Sequence, residues 1–517
     1  MRKLLLICLP FAATVALAQK KEPAEKFAEL ITPKALKEKL SILAGPEMEG
    51  RETASPGQKK AAAYIEGEFK RMGLQPGNGD SYQQVYPVYQ DELTSKTLTV
   101  SGKTFEWDKD FIFSLQGLQS GEWKYSDIVF VGYGIIDSAK SINDYNNLDV
   151  KGKIVVVLEG LPEGYTAPAA QPGRGRGFGG PGSAVAKATI ARTKGASGVL
   201  VVSKDFPKKT ATATKGNMYL NKPTTTAANF FYATVSQDVA SALLGKTLSF
   251  AELKDATKAS YNTDLKVAAE KTTLNLESSN VIAVLPGTDK KDEYVFLTGH
   301  YDHLGKRGDV IYYGADDDGS GTVSVMQMAE AFSAAAKKGN KPRRTIVFMT
   351  VSGEEKGLWG SQYYSEHPIF PLEKTSVDLN TDMDGRVDTE RKTADTLNYI
   401  YVIGHDKISS DLPKINEAMN NKYTKLTLDY KFDDPADPNR IYYRSDHYNF
   451  ARKGVPILFF YDGMLLADYH QPTDTVDKIN FDLMNKRVLL VYYTAWEMAN
   501  RDEMLKRDTP LNMPNSR

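Results

Sequence analysis

Three apolar runs in the second half of the chain, EYVFLTG (Glu293 to Gly299), TIVFMTV (Thr345 to Val351) and VPILFFYDG (Val455 to Gly463), most limit what it can fold into. Each is too short for a core helix and rich in β-branched or aromatic residues, which reads as a strand buried on both faces. Between the first two, Val325, Ala329 and Phe332 recur at helical spacing, so the pattern is strand, helix, strand, a unit of an α/β sheet. Upstream, ASPGQKKAAAYIEGEFKRMGLQPG predicts an amphipathic helix. Ser55 caps it, Pro56 fits its first turn, Ala61, Ile65, Phe69 and Met72 share a face, and Gly73 stops it. From about residue 91 the texture changes to short β-rich runs, DIVFVGYGI, KIVVVLEG and GVLVVSKD, joined by polar or Gly-rich connections. A chain of 517 residues also exceeds one ordinary core. The expected organisation is an α/β domain built from residues 22–94 and 271–517, interrupted by a β-rich insertion at 95–270.

The first residues, MRKLLLICLPFAATVALAQ, combine a basic start, an apolar run to Leu17 and a small-x-small Ala16-Leu17-Ala18, the signature of a secretory leader over residues 1–18. The run is shorter than the roughly 20 apolar residues of a spanning helix. Export to the periplasm or the extracellular space is expected, with no membrane span. Without the leader, 63 basic residues stand against 65 acidic ones, a charge of −2 that offers no footing for nucleic acid. The single cysteine, Cys8, lies in the leader, so the remainder has neither a disulfide nor a thiolate for catalysis or metal binding. The segment QPGRGRGFGGPGS, Gln171 to Ser183, reads as a flexible exposed loop in preference to a basic contact loop. No short tandem repeat appears, which argues against a solenoid.

Polar clusters follow the strands. In chain order they are GHYDHLG (Gly299 to Gly305), GADDDGSG (Gly314 to Gly321), SGEEKGLWGS (Ser352 to Ser361), NTDMDGR (Asn380 to Arg386) and DYHQPTDT (Asp468 to Thr475). Ligands of an open α/β sheet gather at the carboxyl ends of its strands, so these segments can converge on one crevice. They hold His300, His303 and His470, three of the six histidines. His, Asp and Glu without Cys is the ligand chemistry of catalytic Zn2+ and related ions, and two ions sharing a carboxylate can clamp an attacking water. Each segment alone has a plain structural reading, such as an acid-rich turn or a solvated helix start. Five of them after strands resist that reading together. Within GADDDGSG, three adjacent carboxylates demand an offsetting charge. Gly314 and Gly319 free the backbone for a tight turn, and Ser320 is placed to cap the helix that follows.

The order H-x-D, G-A-D-D-x-x-S-G, E-E-x-G-L-x-G-S, D-M-x-G and Y-H-x-x-x-D-T resembles the co-catalytic di-zinc aminopeptidases, peptidase family M28, relatives of glutamate carboxypeptidase and the transferrin receptor. The resemblance covers the N-terminal helix region and residues from about 276 onward, and the insertion looks like the protease-associated domain of secreted members. It implies a mixed central sheet with helices on both faces, and a peptidase that uses two Zn2+ ions to release N-terminal residues from peptide substrates. By position, His300, Asp317 and Asp382 would hold one metal and Asp317, Glu355 and His470 the other, with Asp317 bridging. Glu354 would be the general base acting on a metal-bridging water. Asp302 would accept the imidazole N–H of His300. Asp316 and Asp318 would be flanking turn groups that orient Asp317. Tyr442, three residues before Ser445, would stand beside the developing oxyanion, with a core or surface position as the other reading. His303 and His447 are expected as neighbours, not ligands.

Other activities of the same fold stay open at this point. Arg386, Arg440 and Arg444 near the motifs would suit a carboxypeptidase that binds a terminal carboxylate. A glutaminyl cyclase uses one zinc, against which the full ligand set counts, and a binding protein on a dead scaffold has no need of Glu354. Asp384 stands where the family usually has an aliphatic residue, and reads either as a lure for a substrate ammonium or as a solvent-facing acid. The insertion is expected to cover the cleft or select substrate, with a passive spacer as the alternative.

Overall fold

The structure, a computed structural model, describes residues 21–513 except 116, 167–179, 223–229, 394 and 435. The leader assigned to residues 1–18 and most of the Gly- and Arg-rich segment lie outside the described residues. Among the described residues no helix is long and apolar enough to cross a membrane.

After a short helical turn at Pro23–Ala28 come helices α1 (Pro33–Leu43) and α2 (Pro56–Met72). Ser55 Oγ accepts the Gln58 N–H at 3.3 Å, Pro56 occupies the first turn, and Gly73 closes α2 at φ 78°. Strand β1 (Gln83–Val100) then leads into the insertion, which supplies β2 (Gly121–Phe130), β3 (Ile154–Leu158), β4 (Gly198–Val202) and β5 (Phe231–Val235). The chain returns along β6 (Ala259–Leu285) and completes the fold with β7 (Lys290–His300), β8 (Arg344–Val351), β9 (Thr375–Thr381), β10 (Tyr399–Ile403) and β11 (Ile457–Tyr461). Three further helices matter to the site: α3 (Gly321–Lys337), α4 (Trp359–Glu366) and α5 (Phe481–Asn500).

These strands form one mixed sheet in the order β10-β11-β9-β7-β8-β6-β2-β3-β4-β5. Strands β8, β7, β9 and β11 run parallel, whereas β6 runs antiparallel to both β8 and β2. The join between the two parts of the chain is therefore a strand, not a linker. Val281–Leu285 of β6 pairs with β8, Ala259–Ala269 pairs with β2, and β1 lies along β6 from Val100 opposite Leu265 to Gln83 opposite Val281. The expected domain limits fall within these two strands, where Ser95 pairs with Glu270 beside a register shift at Glu270/Lys271.

The central strands are buried on both faces, as their continuous apolar runs require. Val295 and Leu297 of β7 and Ile346 and Phe348 of β8 enter a core shared with α1, α2, α3 and α5. The alternate residues Phe296, Val347, Met349 and Val351 point to a second core with Tyr364 of α4 and Phe450. The insertion has its own core around Ile154, Val156, Leu158, Leu200 and Val202. Helices thus cover both sheet faces and leave the carboxyl ends of β7, β8, β9 and β11 as the open edge. The five polar segments lie there or in the loops facing it.

Candidate metal centre

His300 is the last residue of β7, Glu354 and Glu355 follow β8, and Asp382 follows β9. Asp317 comes from the turn before α3, and His470 from the loop after β11. His300 Nε2 lies 3.3 Å from Asp317 Oδ1 and 3.6 Å from Asp382 Oδ1. His470 Nε2 lies 3.0 Å from Asp317 Oδ2 and 3.1 Å from Glu355 Oε2. Asp317 therefore turns one oxygen to each group. Ligands of a tetrahedral Zn2+, with bonds of about 2.0–2.2 Å, stand roughly 3.4 Å apart, so these spacings fit cations placed among the donors.

A second observation points the same way. The buried atoms His300 Nε2, Asp317 Oδ2 and Glu355 Oε1, and both ring nitrogens of His303, have no hydrogen-bond partner. Orphaned donors and acceptors are costly in a protein interior unless something else meets them. His303 Nδ1 is 2.7 Å from Glu355 Oε1 yet without hydrogen-bond geometry, as expected of two atoms aimed at a common ion. The residues present thus fit a metal centre. His303, read from the sequence as a mere neighbour, groups with Asp317 and Glu355 as a candidate ligand set. Its spacing of three from His300 was the available signal. A third acid–histidine group, His405 with Asp406 and Asp433, already holds a cation, because Lys407 Nζ lies 2.6 Å from Asp406 and 3.1 Å from Asp433.

The backbone beneath the ligands is tied by carboxylates and one arginine. Fully buried Asp318 accepts the N–H groups of His300 (3.1 Å), Gly321 (2.8 Å) and Met383 (3.0 Å), joining the segments that carry three candidate ligands. Asp474 accepts from the backbone of Asp316 and Asp317 at 3.0–3.1 Å. Asp316 accepts the Gly385 N–H at 3.0 Å. Arg51, fully buried, donates to the carbonyls of Leu43, Tyr301, Tyr313 and Gly314 at 2.7–3.0 Å and so clamps the loop leading to Asp317. Gly314 sits at φ 55°, where an added Cβ would come within 2.5 Å of the His303 ring. None of these partners is visible in the one-dimensional pattern.

Four expectations change. Ser320 does not cap α3 with its side chain; its hydroxyl donates to Asp316 O at 2.8 Å, and Asp318 Oδ1 takes the Gly321 N–H instead. Asp302 meets His300 through its backbone: Nδ1 is 3.1 Å from the Asp302 carbonyl but 3.6 Å from the carboxylate. That carboxylate accepts Thr53 Oγ1 at 2.6 Å and the Glu354 N–H at 3.2 Å, and so positions the Glu354 loop. Asp384 is neither solvent-facing nor aimed at substrate, being fully buried with Ser324 Oγ donating to it at 2.8 Å; burial pushes its carboxyl up to about 7. Tyr442 is placed away from the cleft. Its buried hydroxyl has no partner, and its ring packs with Tyr443, His447 and Tyr448.

The cleft itself is small, about 30 Å3, and is lined by Asp317, Glu354 and Asp382 together with Tyr461, Tyr469 and Arg444. Tyr469 stacks on the His470 ring at 3.9 Å. A larger cavity of about 720 Å3, edged by Glu159, Lys204 and Lys208, opens in the insertion, but none of the candidate metal groups among the described residues lies there. Electrostatics separates two adjacent acids. Burial first, then Glu355 and Asp382, push Glu354 well above the usual carboxylate range against the pull of His300. Glu355 meets the same burial, yet contact with His303 and His470 holds it down at about 2. Burial pulls His470 down, but contact with Asp317 and Glu355 outweighs it and raises the imidazole to about 10.

Residues 280–495 match Peptidase family M28, and residues 127–243 match the PA domain. The chain is 28% identical over 237 residues to a probable leucine aminopeptidase of Arthroderma otae, covering 45% of this chain and 60% of that one. It is 25% identical over 269 residues to a probable zinc metalloprotease of Pyrenophora teres f. teres, covering 45% and 53% respectively. The chain thus spans a little over half the length of these curated relatives. Among solved structures, an aminopeptidase from Aneurinibacillus sp. strain AM-1 aligns with TM-score 0.53 at 19% identity, over 95% of this chain and all of that one. A zinc aminopeptidase from Bacillus subtilis gives 0.52 at 18%, over 92% and 98%. At such identities the likeness establishes the fold.

Proposed function

Because the chain belongs to peptidase family M28 and carries a PA domain within it, we propose that it is an exported di-zinc aminopeptidase that hydrolyses the peptide bond next to a free amino terminus. The observation that carries this reading is Asp317, whose two oxygens face two separate donor groups. His300 and Asp382 complete one zinc site, and Glu355 and His470 the other, with His303 against Glu355. When bound, zinc supplies a Lewis acid for the scissile carbonyl and lowers the pKa of an attacking water to about 7.

The chain's own residues do the rest. Glu354 reaches to 3.9 Å from His300 Nε2, at the edge of the ligand cluster and facing the cleft. From there its carboxylate takes the proton of the attacking water and returns it to the leaving amine. Its raised proton affinity suits that exchange better than an ordinary glutamate would. Asp302 holds the Glu354 backbone in place. Tyr469, in the cleft wall, offers its hydroxyl to the carbonyl oxygen as negative charge builds there. The Glu354 side chain is only 13% exposed, which limits competition from bulk water for its proton.

The test is metal content by mass spectrometry, with turnover of free and N-acetylated peptides by wild type and Glu354→Ala. Two zinc ions per chain, loss of turnover in the variant with zinc retained, and rejection of acetylated peptides are expected. Release of residues from the carboxyl end of acetylated peptides would replace this reading with a carboxypeptidase. Export is tested separately, by sequencing the amino terminus of the secreted chain for cleavage after Ala18.

A further inference from the structure

Arg444 lines the metal cleft, and its guanidinium donates from Nη2 to Tyr469 Oη at 3.0 Å and stands 5.8 Å from the centre of the same ring. Among the described residues no carboxylate lies within ion-pair distance of it, although the other arginines of this edge are engaged. Arg386 pairs with Asp468 at 2.9 Å, and Arg487 donates to the carbonyls of Asp384 and Arg386. A guanidinium carries five donors in a planar fork that matches a carboxylate.

Beside it stands Tyr461, the last residue of β11, only 3% exposed, lining the same cleft with a buried hydroxyl that has no partner. The wall between these two groups and the ligand carboxylates is apolar, formed by Met383, Ile441, Phe459 and Leu465. The cleft is small, about 30 Å3, so its lining groups face one another across a short span. Once cations neutralise Asp317 and Asp382, the charge left facing a substrate on this wall is positive.

We propose that Arg444 and Tyr461 form a receptor for a substrate carboxylate placed within one residue of the scissile bond. This rests on the peptidase reading above and names its substrate class. The carboxylate has two sources, an acidic side chain at the amino-terminal residue or the free terminus of a dipeptide. Either would accept the Arg444 fork and the Tyr461 hydroxyl together, while its aliphatic carbons cover Ile441 and Leu465.

Two shape-matched substrate pairs, differing only by carboxylate against amide, test this on the zinc-loaded full chain: glutamyl against glutaminyl anilide, and leucyl-glycine against leucyl-glycine amide. Wild type is expected to favour the carboxylate member of one pair by about tenfold or more in kcat/KM, because a site built for a polar group rejects the analogue lacking it. The pair that responds identifies the source. Arg444→Met is expected to bring that ratio close to one, with Arg444→Lys between. Equal rates within both pairs for wild type would overturn the proposal, as would an equal loss on both members in Arg444→Met, which would make Arg444 only a support for Tyr469. If wild type hydrolyses none of the four, the peptidase reading fails instead. Calorimetric binding of glutamate against glutamine then tests the receptor alone, and loss of a glutamate preference in Arg444→Met and Tyr461→Phe is the supporting result. Absence of that preference in wild type rejects it.

Discussion

Asp318→Asn isolates the role of the carboxylate that ties the metal-bearing segments together. Oδ1 of Asp318 takes the Gly321 and Met383 N–H groups and Oδ2 takes that of His300. Asparagine keeps the shape but has one acceptor oxygen. If that oxygen serves Gly321 and Met383, the amide nitrogen faces the His300 N–H, donor against donor. The loss is one hydrogen bond to a charged group, about 2 kcal/mol, at a fully buried side chain. Burial and Asp382 push Asp318 well above the usual carboxylate range, whereas His300 and the Met383 N–H pull it down, so the experiment uses the zinc-loaded protein, in which the cations favour the carboxylate. Hydrogen–deuterium exchange read on peptides spanning His300 is expected to quicken by about 30-fold, the rate equivalent of about 2 kcal/mol of local opening. Zinc affinity is expected to fall by about 10- to 100-fold, as for other groups that orient ligands. Unchanged exchange at His300, together with zinc affinity within about twofold of wild type, would refute the account of Asp318 as the tie.

Asp317→Asn removes the charge shared by both donor groups, and metal analysis is expected to show the loss of both ions along with turnover. His470→Ala is expected to lose one zinc per chain, while His303→Ala keeps both with one held more weakly; the reverse order would make His303 the ligand. Tyr469→Phe is expected to lower kcat by about 100-fold, in line with loss of one oxyanion donor, and Tyr442→Phe to leave kcat within about twofold. In the insertion, Lys187 is fully buried and donates to the Tyr133 carbonyl at 2.6 Å, and burial lowers its pKa from 10.5 to about 8. Between those values the unfolded chain binds more protons than the fold, so stability rises with pH across that window, by roughly 3 kcal/mol for this group. The stability gap between wild type and Lys187→Met, followed by urea unfolding of the insertion's tryptophan signal, is expected to change in wild type's favour between pH 8 and 10.5 and to stay flat below pH 8.

What could be read from the sequence was whatever depends on residue type and local spacing. The runs around Phe296, Phe348 and Leu458 marked strands because burial on both faces leaves a continuous apolar signature. Ser55, Pro56 and Gly73 marked the ends of α2 because capping is a local matter. Segments bearing His300, Asp317, Glu355 and Asp382 stood out because each follows a strand or precedes a helix at the same sheet edge. What stayed hidden depends on which distant backbone group a side chain meets. Asp316, Asp317 and Asp318 look alike in a row, yet one faces the donor groups while the others bind the amides of Gly385, His300, Gly321 and Met383. Asp384 read as either a substrate-facing or a solvent-facing acid because no local pattern announces Ser324 as its partner 60 positions away. Tyr442 and Tyr469 were indistinguishable by type, and only the packing of Tyr442 on His447 separates them. The union of both parts of the chain in one sheet was equally silent, since β1 and β6 alternate polar and apolar residues like any edge ribbon.

Glu354 and Glu355 show how the fold assigns different work to neighbours of identical chemistry. Both follow β8, and both side chains are largely covered. Glu355 has Oε1 at 2.7 Å from His303 and Oε2 at 3.1 Å from His470, so its charge is matched on both oxygens and its proton affinity falls. Glu354 has its nearest cationic partner, His300, at 3.9 Å, and Glu355 and Asp382 both disfavour its charge. A carboxylate held ionised is suited to a cation, and one that readily takes a proton is suited to exchanging it with substrate and water. The surroundings of the two side chains are thus consistent with the proposed division between ligand and base. Exchanging the two roles would require moving His303 and His470 to the other glutamate, which a one-residue slip of the loop cannot do while the Glu354 N–H remains bound to Asp302.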